Sequence, residues 1–314
     1  MARPVVVILD DWQQALVTQP ALARLRERAE VRAYTDHAAT LDELAARLAG
    51  AVAVVAIRER TLFDAAVFAR APSLRLLVQT GGGLAHVDQD AAARHGVRII
   101  TTGGPAYPVV ELTIGLMLAL LRRIPWSDRA LRRGEWPAFV GEDCYGKTLG
   151  ILGFGRIGSG VARVAAALGM TVVAWGPTLT DERAAAGGAT RLPLEEVLRR
   201  ADVLSIHLRL SPESRGLLNR ERLALLRPTA YLINTARGAI VDETALVEML
   251  QTGRLAGAAL DVFTEEPLPV DHPLRRLDNV VLTPHLGWPS AGNYAYWAQR
   301  AVEQLLAFFD EAGL

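Results

Sequence analysis

The sequence predicts an α/β protein with two domains, each built on a parallel sheet. Short apolar runs rich in Val and Ile alternate along the chain with Ala- and Leu-rich amphipathic runs, a pattern typical of parallel sheets covered by helices. In the second half, a glycine-rich turn at residues 153–158 lies between two such apolar runs and marks a βαβ unit. At 314 residues the chain is long enough to bury a sizeable core in two ordinary domains.

The first part of the chain predicts the following elements. Strands are expected at residues 5–9, 31–34, 51–57, 74–80 and 97–101, and helices at 20–29, 41–49, 61–69, 88–94 and 105–121. The next segment, 122–146, carries several aromatic residues with little clean periodicity. Such an arm packs either on its own domain or on a second subunit.

The alternation resumes after this arm. Strands are expected at residues 148–152, 171–175, 203–208, 230–235, 258–262 and 280–283, and helices at 156–168, 194–200, 220–226, 243–252 and 293–309. On the last helix Trp297, Ala301, Leu305 and Phe308 form one apolar stripe. We therefore expect two Rossmann-like or flavodoxin-like domains, residues 1–103 with 288–314 for the substrate and residues 104–287 for a dinucleotide.

The glycine turn consists of Gly153, Phe154, Gly155, Arg156, Ile157 and Gly158. In a βαβ unit one glycine permits the tight turn, one lets backbone N–H groups approach a pyrophosphate, and one lets the helix pack on the strand. The N-terminus of the helix then faces the phosphates with its partial positive charge. A GxGxxG pattern alone is also compatible with a merely structural turn, but the flanking strands favour dinucleotide binding.

The position just after the second strand of this unit decides which dinucleotide binds. An acidic residue that holds the adenosine ribose is expected about 20 residues after the turn. That position is occupied by Trp175, Gly176 and Pro177, and Asp181 and Glu182 follow a few residues later. The sequence therefore leaves NAD and NADP open, with NAD favoured.

Composition limits the classes of partner and compartment. Lys plus Arg and Asp plus Glu both number 34, so no nucleic-acid partner is expected. The amino terminus reaches Asp10 and Asp11 before its apolar run is long enough for a signal peptide, and no apolar run is long enough to span a bilayer. A single cysteine, Cys144, cannot form an intramolecular disulfide. We expect a cytoplasmic protein without a metal cluster.

Three polar segments follow predicted strands of the second domain, at residues 234–238, 260–267 and 282–287. Because ligands bind outside the carboxyl ends of parallel strands, these segments and the glycine turn should lie at one edge of the sheet. They contain an Arg, carboxylates and a His. Those groups can bind an anionic substrate and move a proton beside a nicotinamide.

These segments also carry a resemblance that covers nearly the whole chain. The motifs are GFGRIG at 153–158, HLRLSPESRGLLN at 207–219, NTARGAIVDETAL at 234–246, ALDVFTEEPLP at 259–269 and LTPHLG at 282–287. In combination they resemble the D-isomer-specific 2-hydroxyacid dehydrogenases. The resemblance implies hydride transfer between NAD(P)H and a 2-keto acid or D-2-hydroxy acid, and it suggests a homodimer.

The resemblance also implies roles for individual residues. It implies that Arg237 binds the substrate carboxylate, that His285 is the general acid/base, and that Glu266 keeps His285 protonated. Asp261 matches the position that faces the nicotinamide carboxamide. The physical chemistry agrees, since Arg offers a fork of donors to a carboxylate and a carboxylate beside an imidazole favours the imidazolium.

Further residues are expected around this centre. The loop with Thr80, Gly81, Gly82 and Gly83 matches the one whose N–H groups help hold the carboxylate, and Trp288 is expected to shape the substrate pocket. Thr235, Ala236 and His207 are expected beside the cofactor, although a plain structural role for His207 remains open. His37, His86, His95 and His272 lie in polar, surface-like contexts without an expected chemical role.

A different class of function keeps the same fold and the same three residues. A dinucleotide-sensing binding protein of the corepressor type would bind the cofactor without turnover. The sequence lacks the long disordered extensions expected of such a protein, so an enzyme is the favoured interpretation.

Overall fold

The computed structural model describes residues 3–314 and confirms an α/β fold with two parallel sheets. The chain divides into two compact units. One comprises Met1–Pro105 and Pro289–Leu314, and the other comprises Ala106–Trp288.

In its described residues, 3–105 and 289–314, the first unit contains five strands and five helices. They are β1 (Val5–Leu9), β2 (Glu30–Ala33), β3 (Ala51–Ala56), β4 (Leu76–Gln79), β5 (Arg98–Thr101), α1 (Leu22–Arg28), α2 (Leu41–Leu48), α3 (Ala65–Arg70), α4 (Gln89–Arg94) and α12 (Ala291–Ala312). The strands pair in parallel in the order β2-β1-β3-β4-β5, which is the flavodoxin-like order. Ligands of such sheets bind at the carboxyl ends of the strands, where the order reverses.

The central strands of this sheet are buried because helices cover both faces. Val6, Val7 and Ile8 of β1 are fully buried, as expected for a strand that reads as a continuous apolar run. Side chains at the helix starts satisfy backbone N–H groups: Asp64 accepts from Val67, for example. The sequence-predicted strands of this unit are confirmed to within two residues at either end.

One predicted core residue in α12 is wrong. Phe309, not Phe308, continues the buried stripe of Trp297, Ala301 and Leu305, and Phe308 is partly exposed. Phe308 lies three residues after Leu305 and Phe309 lies four residues after it. Because the helix continues to Ala312, either residue could lie on the same face as Leu305. The packing of the helix on the sheet decides between them.

The second unit has the following elements. They are α5 (Tyr107–Leu121), α6 (Ile124–Arg132), β6 (Thr148–Leu152), α7 (Arg156–Ala167), β7 (Thr171–Trp175), α8 (Asp181–Ala186), β8 (Thr190–Arg191), α9 (Leu194–Arg200), β9 (Val203–Ile206), α10 (Arg220–Leu223), β10 (Tyr231–Asn234), α11 (Glu243–Gln251), β11 (Gly257–Leu260) and β12 (Val280–Leu282). Short 3-10 helices lie at Gly238–Ile240 and Pro273–Arg276.

The seven strands of this unit are parallel, in the order β12-β11-β10-β9-β6-β7-β8. Counted from β6, this is the dinucleotide-binding arrangement, with the order reversing between β6 and β9. The glycine turn follows β6 and therefore lies at that reversal. The predicted second sheet is thus confirmed in type and in strand content, with the added short strand β8.

The arm at residues 122–146 contains a helix that the sequence did not predict. α6 begins after Arg123, which has a positive φ of 53°, and Ala130 is its buried residue. The sequence of α6 is amphipathic, but its apolar Ile124 and Leu131 are exposed, so its apolar residues do not mark its buried side. The short helix α8 was also missed, and Ala184 is its buried residue.

Within residues 3–314 no helix is long and apolar enough to cross a membrane. The same residues contain no group of three or more His, Cys, Asp or Glu side chains that could hold a metal ion.

Candidate active site

The three glycines of the turn after β6 meet different surroundings. Gly153 has a φ of 95°, and an added Cβ would lie 2.6 Å from the carbonyl of His207. A Cβ on Gly158 would lie 2.1 Å from the carbonyl oxygen of Gly153. Gly155, the N-cap of α7, has nothing within 4 Å of its Cβ position. Two glycines thus serve the packing of the turn, and Gly155 leaves open space at the start of a twelve-residue helix.

The loop after β10 is held by the side chain of Asn234. Its Oδ1 accepts from the N–H of Ala236 at 3.0 Å, and its Nδ2 donates to the carbonyl of Arg237 at 3.0 Å. Arg237 is exposed. Gly238 packs against the neighbouring loop so closely that a Cβ would lie 2.0 Å from the carbonyl carbon of Phe263. The loop that carries Arg237 is therefore fixed to the loop that leads to Glu266.

Glu266 and His285 lie together, as the sequence predicts. Glu266 Oε2 is 2.8 Å from His285 Nδ1, and its Oε1 accepts from the N–H of Phe263 at 2.9 Å. Burial alone would raise the pKa of Glu266. The hydrogen bonds from His285 and Phe263, with the positive charges of His285 and Arg237, outweigh that effect and bring its pKa below the ordinary value. The carboxylate is therefore ionised at neutral pH, and Arg237 is close enough to act on it.

The backbone of His285 is held by Asp261, a fully buried carboxylate. His285 has a φ of 55°, and its N–H donates to the carbonyls of Asp261 and Thr283 at 2.9 and 3.0 Å. Asp261 Oδ1 accepts from Thr283 Oγ1 and from the N–H of Leu286, both at 2.6 Å, and Oδ2 accepts from Gly287 at 2.9 Å. One side chain thus fixes the turn on both sides of the imidazole.

The electrostatics of Asp261 reflect its burial. Burial raises its pKa, and the hydrogen bonds from Thr283, Leu286 and Gly287, with the charge of His285, offset only part of that rise. Three hydrogen-bond donors and one positive charge thus act on this carboxylate. Its expected contact with a nicotinamide carboxamide stays a prediction, and the structure adds a positioning role for the loop of His285.

The residues expected beside the cofactor surround the reversal of strand order. His207 follows β9, and its Nε2 is 2.9 Å from Ser205 Oγ. Burial lowers the pKa of His207 to about 4, so its imidazole is neutral at physiological pH. Thr235 is buried and its Oγ1 lies 2.9 Å from Thr113 Oγ1 of α5. Ala236 is also buried.

In the first unit, the predicted loop follows β4. Thr80 is fully buried, and the N–H of Gly81 donates to Thr102 Oγ1 at 3.0 Å. Within the described residues the N–H groups of Gly82 and Gly83 donate no hydrogen bond. These two N–H groups, rather than that of Gly81, are the ones left for an anion.

The expectation that His86 lies on the surface is wrong. His86 is 8% exposed, and its Nε2 is 3.1 Å from Gln79 Oε1. Gln79 is also bonded through Nε2 to the carbonyls of Arg58 and Thr80. The polar sequence around His86 concealed a buried partner at the end of β4, because that partner comes from a different element. Trp288, predicted for the pocket, is partly buried and directly follows Gly287.

Several residues of this centre were not singled out from the sequence. Asn234, Thr283 and Gly238 fix the loops that carry the predicted groups. Each lies within a quoted motif, one or two positions from a predicted residue. Thr283 and Gly238 have partners that are distant in the chain, at Asp261 and Phe263, which a motif alone does not reveal, whereas Asn234 bonds within its own loop.

A comparison with models of protein families identifies the family of this chain. The model described as "D-isomer specific 2-hydroxyacid dehydrogenase, NAD binding domain" matches residues 114–287. The chain belongs to the D-isomer-specific 2-hydroxyacid dehydrogenase family. The match includes the glycine turn, Arg237, Glu266 and His285. Of the second-unit site residues described above, only Thr113, which immediately precedes the match, and Trp288, which immediately follows it, lie outside.

Relatives of this family cover much of the chain. The D-3-phosphoglycerate dehydrogenase of Bacillus subtilis is 42% identical over 255 residues, which are 80% of this chain and 48% of that protein. The glyoxylate reductase of Korarchaeum cryptofilum is 37% identical over 252 residues, which are 78% of this chain and 76% of that protein. The crystal structure of phosphoglycerate oxidoreductase from Vibrio cholerae has a TM-score of 0.89 at 32% identity and covers 99% of this chain and 100% of that chain. The chain spans about half the length of the D-3-phosphoglycerate dehydrogenases it matches.

The residues present fit the dinucleotide that this family binds. Gly155 offers unfilled space at the N-terminus of α7, where N–H groups and the helix dipole favour a phosphate. Gly153 and Gly158 allow the turn to lie against His207 and against itself. An NAD or NADP pyrophosphate is therefore compatible with this turn.

The different surroundings of the glycines generate a prediction. Gly158→Ala should destabilise the protein by about 1–3 kcal/mol, because the methyl group has no space beside the carbonyl of Gly153. Gly155→Ala should change the free energy of unfolding by less than about 0.5 kcal/mol, since its Cβ position is open, but it should weaken NADH and NADPH binding. Urea unfolding and fluorescence titration measure the two effects. Equal loss of stability in both variants would contradict the distinction.

Proposed function

We propose that this protein is an NAD(P)-dependent oxidoreductase that interconverts a 2-keto acid and a D-2-hydroxy acid. The observation that carries the proposal is the 2.8 Å contact of Glu266 Oε2 with His285 Nδ1, at the same sheet edge as Arg237 and the glycine turn. Membership of the family supports it. We further propose that residues 104–287 form the dinucleotide-binding domain and that residues 1–103 with 288–314 form the substrate domain.

The imidazole of His285 supplies the proton. Because Nδ1 is bonded to Glu266, Nε2 is the ring nitrogen left to donate to the carbonyl oxygen of the keto acid. The ionised carboxylate of Glu266 holds the ring in position and favours its protonated form. When bound, the reduced nicotinamide supplies the hydride that goes to the carbonyl carbon. In the reverse direction, Nε2 takes the proton from the hydroxyl group.

Arg237 binds the substrate carboxylate in this proposal. Its guanidinium stays charged at every working pH and can form two parallel hydrogen bonds to a carboxylate. One of its nitrogens, Nη1, donates to the carbonyl of Ala236 at 2.7 Å, which directs the remaining donors. We propose that the N–H groups of Gly82 and Gly83 in the first unit are further donors for a carboxylate.

Small 2-keto acids are the proposed substrate class. The names of the relatives, D-3-phosphoglycerate dehydrogenase and glyoxylate reductase, mark two ends of a size range within that class. Trp288, directly after the loop of His285, is proposed to limit the size of the substrate side chain. A panel that contains glyoxylate, pyruvate and 3-phosphohydroxypyruvate therefore samples the range.

The activity is tested by NADH and NADPH oxidation with this panel of keto acids. At least one acid should turn over. His285→Ala should lower kcat by about 10²-fold to 10⁴-fold, because proton transfer is lost. Arg237→Ala should also raise KM for the keto acid strongly, because a binding group is lost.

Small and equal effects of the two substitutions would refute these roles. Tight dinucleotide binding without turnover of any acid would instead support the corepressor-type alternative.

The pKa of Glu266 sets the pH dependence of reduction. Since that pKa lies below its ordinary value, the carboxylate is ionised at neutral pH and becomes protonated only as the pH falls through the lowered pKa. Its ionic bond to the imidazole of His285 is then lost, so the rate of reduction should fall along a low-pH limb. Glu266→Gln has no carboxylate to titrate, so it should lower kcat for reduction at neutral pH by about 10-fold and remove that limb. Glu265→Gln, at an exposed neighbour, should leave both kcat and the limb in place, and equal effects of the two substitutions would contradict the assignment.

We propose that the protein is a homodimer formed through the arm at residues 122–146. Large apolar side chains of this arm are strongly exposed, among them Trp136 at 90% and Val140 at 91%, and exposed apolar patches mark interaction sites. Sedimentation should give twice the 33.9 kDa chain mass, and the double variant Trp136→Glu, Val140→Glu should sediment as a monomer. Val270→Glu, also at a 90% exposed residue, is the matched control. A monomeric wild-type protein would refute the proposal.

We also propose a cytoplasmic location. The free Cys144 is consistent with a reducing compartment. Cell fractionation tests this, and recovery of the protein from the secreted fraction would contradict it.

A further inference from the structure

The site for the adenosine ribose lacks the acid that selects NAD. Gly176 directly follows β7, and its Cβ position faces the glycine turn, 3.7 Å from the backbone nitrogen of Phe154 and 3.9 Å from Cα of Gly153. In dinucleotide-binding sheets a carboxylate at this point bonds the ribose hydroxyls. Here the position carries no side chain at all, so it makes no such bond.

A cation reaches this place from the next element. Arg183 is the third residue of α8. Its Nη1 donates to the carbonyl of Thr178 at 2.8 Å, and its Nη2 lies 3.5 Å from the carbonyl of Phe154. The guanidinium therefore bridges the loop after β7 and the glycine turn itself. The backbone of Arg183 is fixed as well, because its N–H donates to Thr180 Oγ1 at 3.3 Å.

The two acids beside Arg183 are engaged elsewhere. Asp181 Oδ1 is 2.7 Å from Arg191 Nε, and that hydrogen bond holds the pKa of Asp181 below its ordinary value. Glu182 is bonded by its own backbone N–H and by the hydroxyl of Thr180, which lower its pKa. Arg183, in contrast, is bonded to backbone carbonyls, so its charge is not neutralised by those contacts.

We propose that Arg183 binds the 2′-phosphate of NADP(H) and that this chain prefers NADP(H) over NAD(H). The inference rests on the proposed dinucleotide-dependent function and goes beyond it, since the sequence favoured NAD. A guanidinium has five N–H donors, and the contacts to Thr178 and Phe154 orient two of its nitrogens. The remaining donors suit a dianionic phosphate, with which guanidinium forms strong charge-assisted hydrogen bonds.

The open position at Gly176 contributes to the same preference. A carboxylate there would repel a 2′-phosphate, whereas glycine leaves room for it. Pro177 follows and has no N–H of its own, so the loop offers little to a bare ribose hydroxyl. Arg183 and the absence of an acid at Gly176 therefore both favour NADP(H).

Binding measurements on the full chain test the proposal without the need for turnover. Calorimetry should show tighter binding of NADPH than of NADH, and of 2′,5′-ADP than of 5′-ADP. Arg183→Gln should weaken NADPH and 2′,5′-ADP by about 10-fold to 100-fold, the effect of one lost charge-assisted contact, and should change NADH by less than about 3-fold. The preference for NADPH should also shrink as salt is added, because the contact is exposed.

A matched control uses an exposed arginine on α7, two turns after Arg156. Arg163→Gln removes the same charge and should leave the NADPH to NADH affinity ratio unchanged. A fall in that ratio as large as for Arg183→Gln would show a general charge effect and overturn the assignment. Equal weakening of NADH and NADPH by Arg183→Gln would show that the residue only holds the turn, and would overturn it too.

The reverse substitution provides a second test. Gly176→Asp restores the missing acid at a position where a Cβ meets only ordinary contacts, the nearest at 3.5 Å from Leu179 Cβ. It should raise NADH affinity and lower NADPH affinity, whereas Gly176→Asn, of the same size without the charge, should change the ratio much less. The proposal would be contradicted if Gly176→Asp raised the NADPH to NADH affinity ratio, or if Gly176→Asn lowered that ratio as much as Gly176→Asp.

Failure of this inference differs visibly from failure of the proposed function. A wild-type protein that binds NADH at least as tightly as NADPH overturns the assignment of Arg183 alone. A protein that binds neither dinucleotide overturns both.

Discussion

The site depends on the parallel arrangement of one sheet. Because all seven strands of the second unit run in the same direction, the loops after β6, β9, β10, β11 and β12 leave from the same edge. Parallel strands need long crossover connections, so residues that meet at this edge are far apart in the chain. Glu266 and His285 are 19 positions apart, yet their side chains lie 2.8 Å apart.

A buried carboxylate, Asp261, fixes the loop of His285 at that edge. Burying Asp261 is unfavourable unless its oxygens are bonded, and the raised pKa records that burial. Three donors from the following loop satisfy it. The same bonds hold His285 in a left-handed conformation that a non-glycine residue seldom adopts. The stability of the loop and the orientation of the imidazole therefore depend on one side chain.

Elements with strong local patterns were predicted well, and solvent-facing ones were not. All strands except β8, and the helix α7, carry apolar runs or stripes, so their positions followed from the sequence. The helix α6 buries Ala130 but exposes Ile124 and Leu131, so its apolar residues do not mark its buried side. His86 has polar neighbours in sequence but packs beside Gln79 of another element. Phe308 and Phe309 lie three and four residues after Leu305, and the packing of the helix on its sheet decides that Phe309 is buried.

The sequence by itself determined the fold class and the glycine turn, and its motifs indicated Arg237, Glu266 and His285 as site residues, because motifs and periodicity are local properties of the chain. Only the tertiary structure decided how these residues are held. Gly238 and Asp261 act through partners in loops that follow other strands, and Arg183 acts through a carbonyl of the turn 29 residues earlier. Such contacts arise when separate elements pack, and no single segment of the sequence records them.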